Sequence, residues 1–123
     1  MICFANFAEH IKDFKIKMNT NERKGWMELE KSKIDELLKR IPTWTLKNGH
    51  LYKKFKLKNF VDAMRFINSV ADIAEQEQHH PDFFVHYNKV EIEIWTHVIN
   101  GLSENDFIVA AKIDGLQYPY VQI

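Results

Sequence analysis

Cysteine is almost absent from this chain of 123 residues, in which Cys3 is the single example. One cysteine excludes an intrachain disulfide and any zinc site built from several cysteines, and it suits a reducing compartment. Long apolar runs are absent as well: no stretch approaches the roughly 20 residues of a membrane span, and no continuous signal-peptide core begins the chain. These absences predict a cytoplasmic protein that does not act at a membrane.

An excess of charge of either sign is also missing, because 17 Lys and Arg residues balance 17 Asp and Glu residues. This balance gives no support to a large nonspecific attraction to nucleic acid or to anionic lipid. The hydrophobic fraction of 46% and the aromatic fraction of 13% indicate a folded protein. The chain length predicts one domain with two packed layers.

The first 31 residues are interpreted as an N-terminal extension. A targeting segment is one interpretation of it, although Glu9 and Asp13 disfavour this because transit peptides are poor in acidic residues. The interpretation we favour is an amphipathic helix, because apolar residues recur there at helical spacing: Phe4, Phe7, Ile11, Phe14 and Met18.

A short helix and a hairpin are predicted next. Ser32 and Asp35 have the spacing of an N-terminal cap, and an apolar stripe follows as far as Pro42. Asn48-Gly49 then separates two segments of strand character. Because Asn-Gly supplies the positive φ angles of a two-residue turn, these segments are predicted to pair as antiparallel strands.

The longest predicted helix starts at the capping pattern Asn59-x-x-Asp62 and ends before His79. Its predicted buried stripe consists of Phe60, Ala63, Met64, Ile67, Val70, Ala71 and Ala74.

After this helix the periodicity changes to two, which predicts a second hairpin with its turn at Asn88-Lys89. Ser103 and Asp106 then have the spacing of a capping pair for a final helix. Residues 118–123 are expected to form an irregular tail. The inward-facing residues of the last strand are predicted to be Val90, Ile92, Ile94 and Thr96.

The order of these elements predicts an α+β domain over residues 32–117. We expect a four-stranded antiparallel sheet with two to three helices packed on one face. Alternation gives such a sheet one apolar face, and each helix has one apolar stripe that can cover it.

Two adjacent histidines, His79 and His80, follow the long helix directly. They can act on one ligand only if the backbone is irregular there, and Pro81 predicts such an irregularity because it disfavours a helical conformation for the preceding residue. Glu75 places an acid near the negative end of the helix dipole, where a protonated histidine would be a favourable partner.

His97 ends the fourth predicted strand, and Asp106 lies in the first turn of the next helix, so both are expected at the same cleft. A capping role would already explain Asp106. Trp95 could stack on a flat ligand, although packing would explain it as well. Three histidines with an acid also match the donor set of zinc or another transition metal, so a metal site is an alternative.

The combined spacing resembles the signature of the pterin-4a-carbinolamine dehydratase family, also known as the dimerisation-cofactor family. The resemblance covers about Lys33 to Leu116. The matching positions are Glu75, His79, His80, Pro81, Tyr87, Thr96, His97, Gly101 and Asp106.

The resemblance implies an enzyme, a hydro-lyase that dehydrates 4a-hydroxytetrahydropterin to quinonoid dihydropterin without a metal or a cofactor of its own. This reaction recycles the tetrahydropterin cofactor of aromatic amino acid hydroxylases. Histidine suits the two proton transfers because its reference pKa is about 6.5.

The resemblance also implies roles for individual residues. His80 and His97 would be the acid and the base, and His79 would orient the pterin and take part in proton transfer. Asp106 would be the carboxylate that orients a histidine. The implied substrate-binding residues are Glu75, Pro81, Trp95 and Thr96.

For partners, the resemblance implies a homodimer or a homotetramer. The alternative function is a non-catalytic module that docks on the dimerisation helices of a transcription factor, without binding nucleic acid directly. Under that alternative, the protein would be expected in the nucleus as well as in the cytoplasm.

Overall fold

The computed structural model describes residues 27–117 and 121–122. The helix predicted between Phe4 and Met18 lies outside the described residues. In chain order, the described elements are α1 Lys31–Leu38, β1 Thr45–Lys47, β2 His50–Lys56, α2 Phe60–Glu77, β3 Asp82–His86, β4 Lys89–Ile94, a 3₁₀ turn His97–Ile99, α3 Glu104–Asp114 and β5 Val121–Gln122.

The strands form one antiparallel sheet with the order β1-β2-β4-β3. This arrangement confirms the predicted α+β class, with a four-stranded sheet and helices on one face. The short β5 also pairs with β2, through Phe55 with Gln122 and Lys56 with Val121. The prediction of an irregular tail was therefore wrong for Val121–Gln122, where backbone pairing along β2 forms a fifth strand.

One face of the sheet carries the hydrophobic core. Leu51 and Phe55 of β2 and Ile92 of β4 are completely buried, and they face the helices. Phe66 of α2 and Phe107 of α3 join the same cluster. The core therefore lies on the face of the sheet that the two-residue periodicity predicted to be apolar.

Both hairpin turns use backbone with positive φ. Asn48 and Gly49 have φ angles of 54° and 80°, as predicted for a two-residue turn. In the second hairpin His86 pairs with Lys89, and Tyr87 has a φ of 55°. This turn lies one residue earlier than predicted, because the left-handed conformation falls on Tyr87 rather than on the asparagine that usually favours it.

The helix caps follow the predictions in two of three cases. Asn59 caps α2, because its side chain accepts a hydrogen bond of 2.9 Å from the Asp62 N–H. Ser103 and Asp106 form a reciprocal capping box at the start of α3. The predicted cap at Ser32 was wrong: α1 begins after Glu30, so Ser32 lies inside the first turn.

The buried stripe of α2 differs from the predicted one. Phe60 and Met64, which were expected inside, are 48% and 37% exposed. A 3.6-residue period predicts an apolar stripe, but packing on the sheet and on α3 selects which neighbouring positions are covered. The residues that α2 buries are Ala63, Phe66, Val70, Ile73 and Ala74.

Within the described part of the chain, each helix is too short or too polar to cross a bilayer.

Candidate active site

The backbone turn at the end of α2 gives the side chains of the two adjacent histidines different environments. Gln78 adopts the left-handed conformation, and the His79 N–H donates to the Ala74 carbonyl at 3.0 Å while the Gln78 N–H donates to the Glu75 carbonyl at 3.3 Å. These bonds are a Schellman ending. The predicted irregularity is therefore present, but it begins at Gln78, before Pro81.

This turn directs His79 into the protein and leaves His80 outside. The side chain of His79 is 10% exposed, and its Nε2 lies 2.5 Å from Oδ1 of the completely buried Asp106. Because an ionised carboxylate only accepts, we assign the shared proton to Nε2 of His79. The contact joins the end of α2 to the first turn of α3 and fixes the orientation of the His79 ring.

The second oxygen of Asp106 is also satisfied. Its Oδ2 accepts from the Ser103 N–H at 2.8 Å and from the Thr96 hydroxyl at 2.9 Å. Since the Thr96 proton is used there, the Ser103 hydroxyl donates to Thr96 across 2.6 Å. Asp106 therefore caps α3 and holds His79 at the same time, which combines both roles considered from the sequence.

His97 is the first residue of a short loop that Thr96 and Gly101 close. The Thr96 N–H donates to the Gly101 carbonyl at 2.8 Å, and the 3₁₀ turn His97–Ile99 fits between them. Asn100 closes this turn with a φ of 47°. His97 is exposed, and among the residues that the structure describes its ring contacts Trp95, with centroids 4.1 Å apart and planes at 19°.

A cavity of about 240 Å³ lies where these elements meet. The cavity is smaller than the roughly 300–1,000 Å³ of sites for drug-sized ligands, so it suits a ligand of only a few rings. It brings together five of the predicted site residues from two segments, residues 78–80 at the end of α2 and residues 95–98 after β4. Its lining consists of Gln78, His79, His80, Trp95, Thr96, His97 and Val98.

His80 is paired with a carboxylate that is itself exposed to solvent, that of Glu75. Its Nε2 lies 2.5 Å from Oε2 of Glu75, and the two side chains are 59% and 71% exposed. An exposed pair of this kind contributes little to stability, so Glu75 restrains His80 much less than Asp106 restrains His79. Glu75, the acid near the negative end of the α2 dipole, is therefore paired with a histidine, as the sequence suggested.

Five of the positions named from the sequence do not line the cavity: Glu75, Pro81, Tyr87, Gly101 and Asp106. Pro81 is buried next to His80, and Tyr87 is 67% exposed in the β3–β4 turn. Pro81 shapes the chain between α2 and β3, whereas Tyr87 supplies the positive φ of the turn.

Sequence reasoning missed Gln78 and Val98 in the cavity wall. Gln78 had a usable signal, since a helix that ends before His79 needs a left-handed residue close to that point. Val98 had none, because an 80% exposed valine on a 3₁₀ turn has no distinctive pattern.

Within residues 27–117, no three His, Cys, Asp or Glu side chains are grouped so that they could hold a metal ion. The histidines instead have separate carboxylate or aromatic neighbours: Asp106 for His79, Glu75 for His80 and Trp95 for His97.

Comparison with known proteins gives a consistent result. A family model described as pterin 4 alpha carbinolamine dehydratase matches residues 27–116. A Rickettsia canadensis protein, named as a candidate pterin-4-alpha-carbinolamine dehydratase, is 54% identical over 88 residues, which are 70% of this chain and 81% of the relative.

Two further relatives differ more from this chain. Pterin-4-alpha-carbinolamine dehydratase 2, mitochondrial, from Arabidopsis thaliana is 49% identical over 87 residues, which are 67% of this chain and 46% of the relative. A crystal structure described as a transcriptional coactivator/pterin dehydratase from Brucella melitensis superposes with a TM-score of 0.68 at 32% identity, covering 72% of this chain and 96% of that one.

Proposed function

Because this chain belongs to the pterin 4 alpha carbinolamine dehydratase family, we propose that it dehydrates 4a-hydroxytetrahydropterin to quinonoid dihydropterin and water. In a cell that contains an aromatic amino acid hydroxylase, this reaction would recycle the hydroxylase cofactor. The observation that carries the proposal is the single cavity that His79, His80 and His97 share.

The reaction needs two proton transfers. A general acid protonates the 4a-hydroxyl group, the C4a–O bond breaks as the N5 lone pair forms the C4a=N5 bond, and a base removes the proton from N5. His80 and His97 are the acid and base in this proposal, because both line the cavity and both are exposed enough to exchange protons with solvent.

His79 has a different role because its Nε2 is occupied by Asp106. With that nitrogen fixed, the ring presents its other nitrogen, Nδ1, in a set direction, which suits the orientation of a pterin and the relay of a proton. Trp95 and Thr96 complete the wall beside the histidines, and Glu75 restrains His80.

The test is the dehydration rate of freshly generated 4a-hydroxytetrahydropterin, followed by absorbance after chelator treatment. We expect the wild type to accelerate water loss, and His80→Ala and His97→Ala each to lose about 10²- to 10⁴-fold of that acceleration. The matched control is His86→Ala, which removes an exposed histidine of β3 that lies outside the cavity.

The outcomes separate the alternatives. A wild type that does not accelerate the reaction would contradict the proposed enzyme activity. A rate that chelation abolishes and zinc restores would favour the metal site over histidine acid–base chemistry. If His86→Ala lost as much of the rate acceleration, the losses would reflect a smaller amount of folded protein rather than the removal of a cavity residue.

An assembly role is the second candidate function. Phe60, Val61 and Met64 expose 48%, 55% and 37% of their surfaces on one end of α2. Exposed neighbouring apolar side chains of this kind are typical of interaction sites. We propose that this α2 patch, defined by these three residues, is covered in a homodimer or homotetramer.

Sedimentation velocity tests the assembly role. The double variant Val61→Glu/Met64→Glu should shift the protein towards the monomer, whereas Asn68→Glu, an exposed substitution elsewhere on α2, should not. If the wild type is a monomer, the patch is free for another partner. A transcription-factor dimerisation helix is then the candidate, since the Brucella melitensis relative is described as a transcriptional coactivator.

A further inference from the structure

Three flat side chains form one column beside the cavity. The Trp95 ring lies between the rings of His50 and His97, with centroid distances of 4.0 Å to His50 and 4.1 Å to His97. The planes of His50 and Trp95 are within 5° of parallel. The register of the sheet explains the contact: Leu51 pairs with Ile94, so the next residues, His50 and Trp95, are neighbours across β2 and β4.

The far end of the column is fixed by Glu93. Its Oε2 lies 2.5 Å from Nδ1 of His50, and these side chains are only 17% and 19% exposed. A carboxylate that accepts from Nδ1 prevents the imidazole from rotating, because a flipped ring would present a carbon to the oxygen. The His50 ring is therefore held in a fixed orientation, and Trp95 packs against it.

The near end of the column is His97, whose ring is stacked on Trp95 at a centroid distance of 4.1 Å. It lies on an exposed 3₁₀ turn, and within the described residues its ring makes no hydrogen bond. An acid–base group works only when it is held within hydrogen-bond reach of the proton that it transfers. The direction of the His97 ring consequently depends on the Trp95 face.

We propose that His50 is a positioning residue for the reaction, because it holds Trp95 in the plane that orients His97. The proposal rests on the function proposed above, in which His97 transfers a proton. His50 itself does not line the cavity, so it acts through Trp95 and not on the substrate.

The kinetic test compares two substitutions at one position. His50→Leu removes the flat ring and should lower kcat about 10- to 100-fold with little change in KM, since misplacing a catalytic group by about 1 Å costs rate rather than ground-state binding. His50→Phe keeps a flat ring against Trp95 and should restore most of kcat. The control is His86→Leu, which removes another histidine that pairs with a β4 glutamate, Glu91.

The results decide between positioning and plain stability. If Leu and Phe at position 50 lower kcat equally and both lower the melting temperature, His50 is structural and the proposal is wrong. If both variants keep full kcat, the column has no role in the reaction. A rise in KM without a fall in kcat would assign His50 to substrate binding and also contradict the proposal.

A second readout does not need activity. In the wild type, the ring protons of His97 lie over the Trp95 face, so their NMR signals should be shifted upfield by its ring current. His50→Leu should reduce this shift, and His50→Phe should retain it. If the wild type shows no dehydratase activity but the shift behaves this way, the proposed function fails while the column stands; an unchanged shift in His50→Leu overturns the column.

Discussion

At the scale of the residue, Asp106 connects stability to chemistry. Its carboxylate is completely buried, and it accepts hydrogen bonds from His79, Thr96 and the Ser103 N–H. The Ser103 amide cannot reverse its direction, because an N–H group only donates. The Nε2 atom of His79 can change between donor and acceptor through a change of tautomer.

Asp106→Asn should therefore switch the tautomer of His79. The amide oxygen of Asn would face Ser103 and Thr96, so its NH₂ group would face His79 and require an acceptor at Nε2. We expect the dehydration rate to fall by about 10- to 100-fold, because misplacing a group by about 1 Å can cost a loss of this size. NMR of the His79 ring nitrogens measures the tautomer directly.

The control for this substitution is Asp72→Asn, which makes the same chemical change at an exposed position of α2. It should leave the rate and the His79 signals unchanged. An Asp106→Asn protein with the wild-type rate and the original His79 tautomer would show that the buried contact does not orient the ring.

At the scale of the element, α2 is the helix whose two ends have separate functions. Its start is a capping site at Asn59, about five turns away from the cavity. Its end is the left-handed Gln78, which directs His79 inward and His80 outward. Stability should therefore respond to changes at the start, and activity to changes at the end.

Asn59→Ala should lower the free energy of unfolding by about 1 kcal/mol, because the Asp62 N–H loses its acceptor. Urea denaturation measures this change, and kcat should stay at the wild-type value. Asn68→Ala is the matched control: it makes the same substitution inside the helix at an exposed position, where alanine favours helix. A loss of equal size in both variants would mean that Asn59 is not acting as a cap.

At the scale of the whole molecule, one buried ion pair ties β2 to α3. Nζ of Lys53 lies 2.8 Å from Oδ1 of Asp114, and these side chains are 4% and 9% exposed. The same oxygen accepts from the Trp44 indole at 3.0 Å, and Lys53 also donates to Thr43 at 2.8 Å. The cluster joins the segment before β1, the centre of β2 and the end of α3.

Removing one member of this pair should be costly. Lys53→Met leaves the Asp114 carboxylate buried without its cation, which typically costs about 3–5 kcal/mol. The double variant Lys53→Met/Asp114→Asn should recover most of this loss, since the amide oxygen still accepts from Trp44. Urea denaturation of both proteins checks the prediction, and a double variant no more stable than the single one would contradict it.

The pH dependence gives an independent check on Asp114. Burial raises the pKa of its carboxyl above the ordinary 3.8, while Lys53 opposes this increase. A carboxyl whose pKa is higher in the folded protein binds its proton more tightly when folded, so it favours folding as the pH falls through the folded pKa. The loss in Lys53→Met should therefore be smaller at about pH 5 than at about pH 7.

Local patterns in the sequence determined the elements of this protein. Asn48-Gly49 predicted the first turn, Asn59 the start of α2, and the Ser103–Asp106 pair the start of α3, because each of these features depends on hydrogen bonds between residues only a few positions apart. The two-residue period likewise determined the buried face of the sheet. The order of these elements was then enough to predict the fold.

Tertiary structure decided which side chains became partners. His79 meets Asp106 across 27 positions, His50 meets Glu93 across 43, and Lys53 meets Asp114 across 61. No periodicity encodes such contacts, since they depend on strand register and on how the helices lie on the sheet. That is why the sequence could predict a group of histidines at one cleft, whereas the column that orients His97 became visible only in the folded chain.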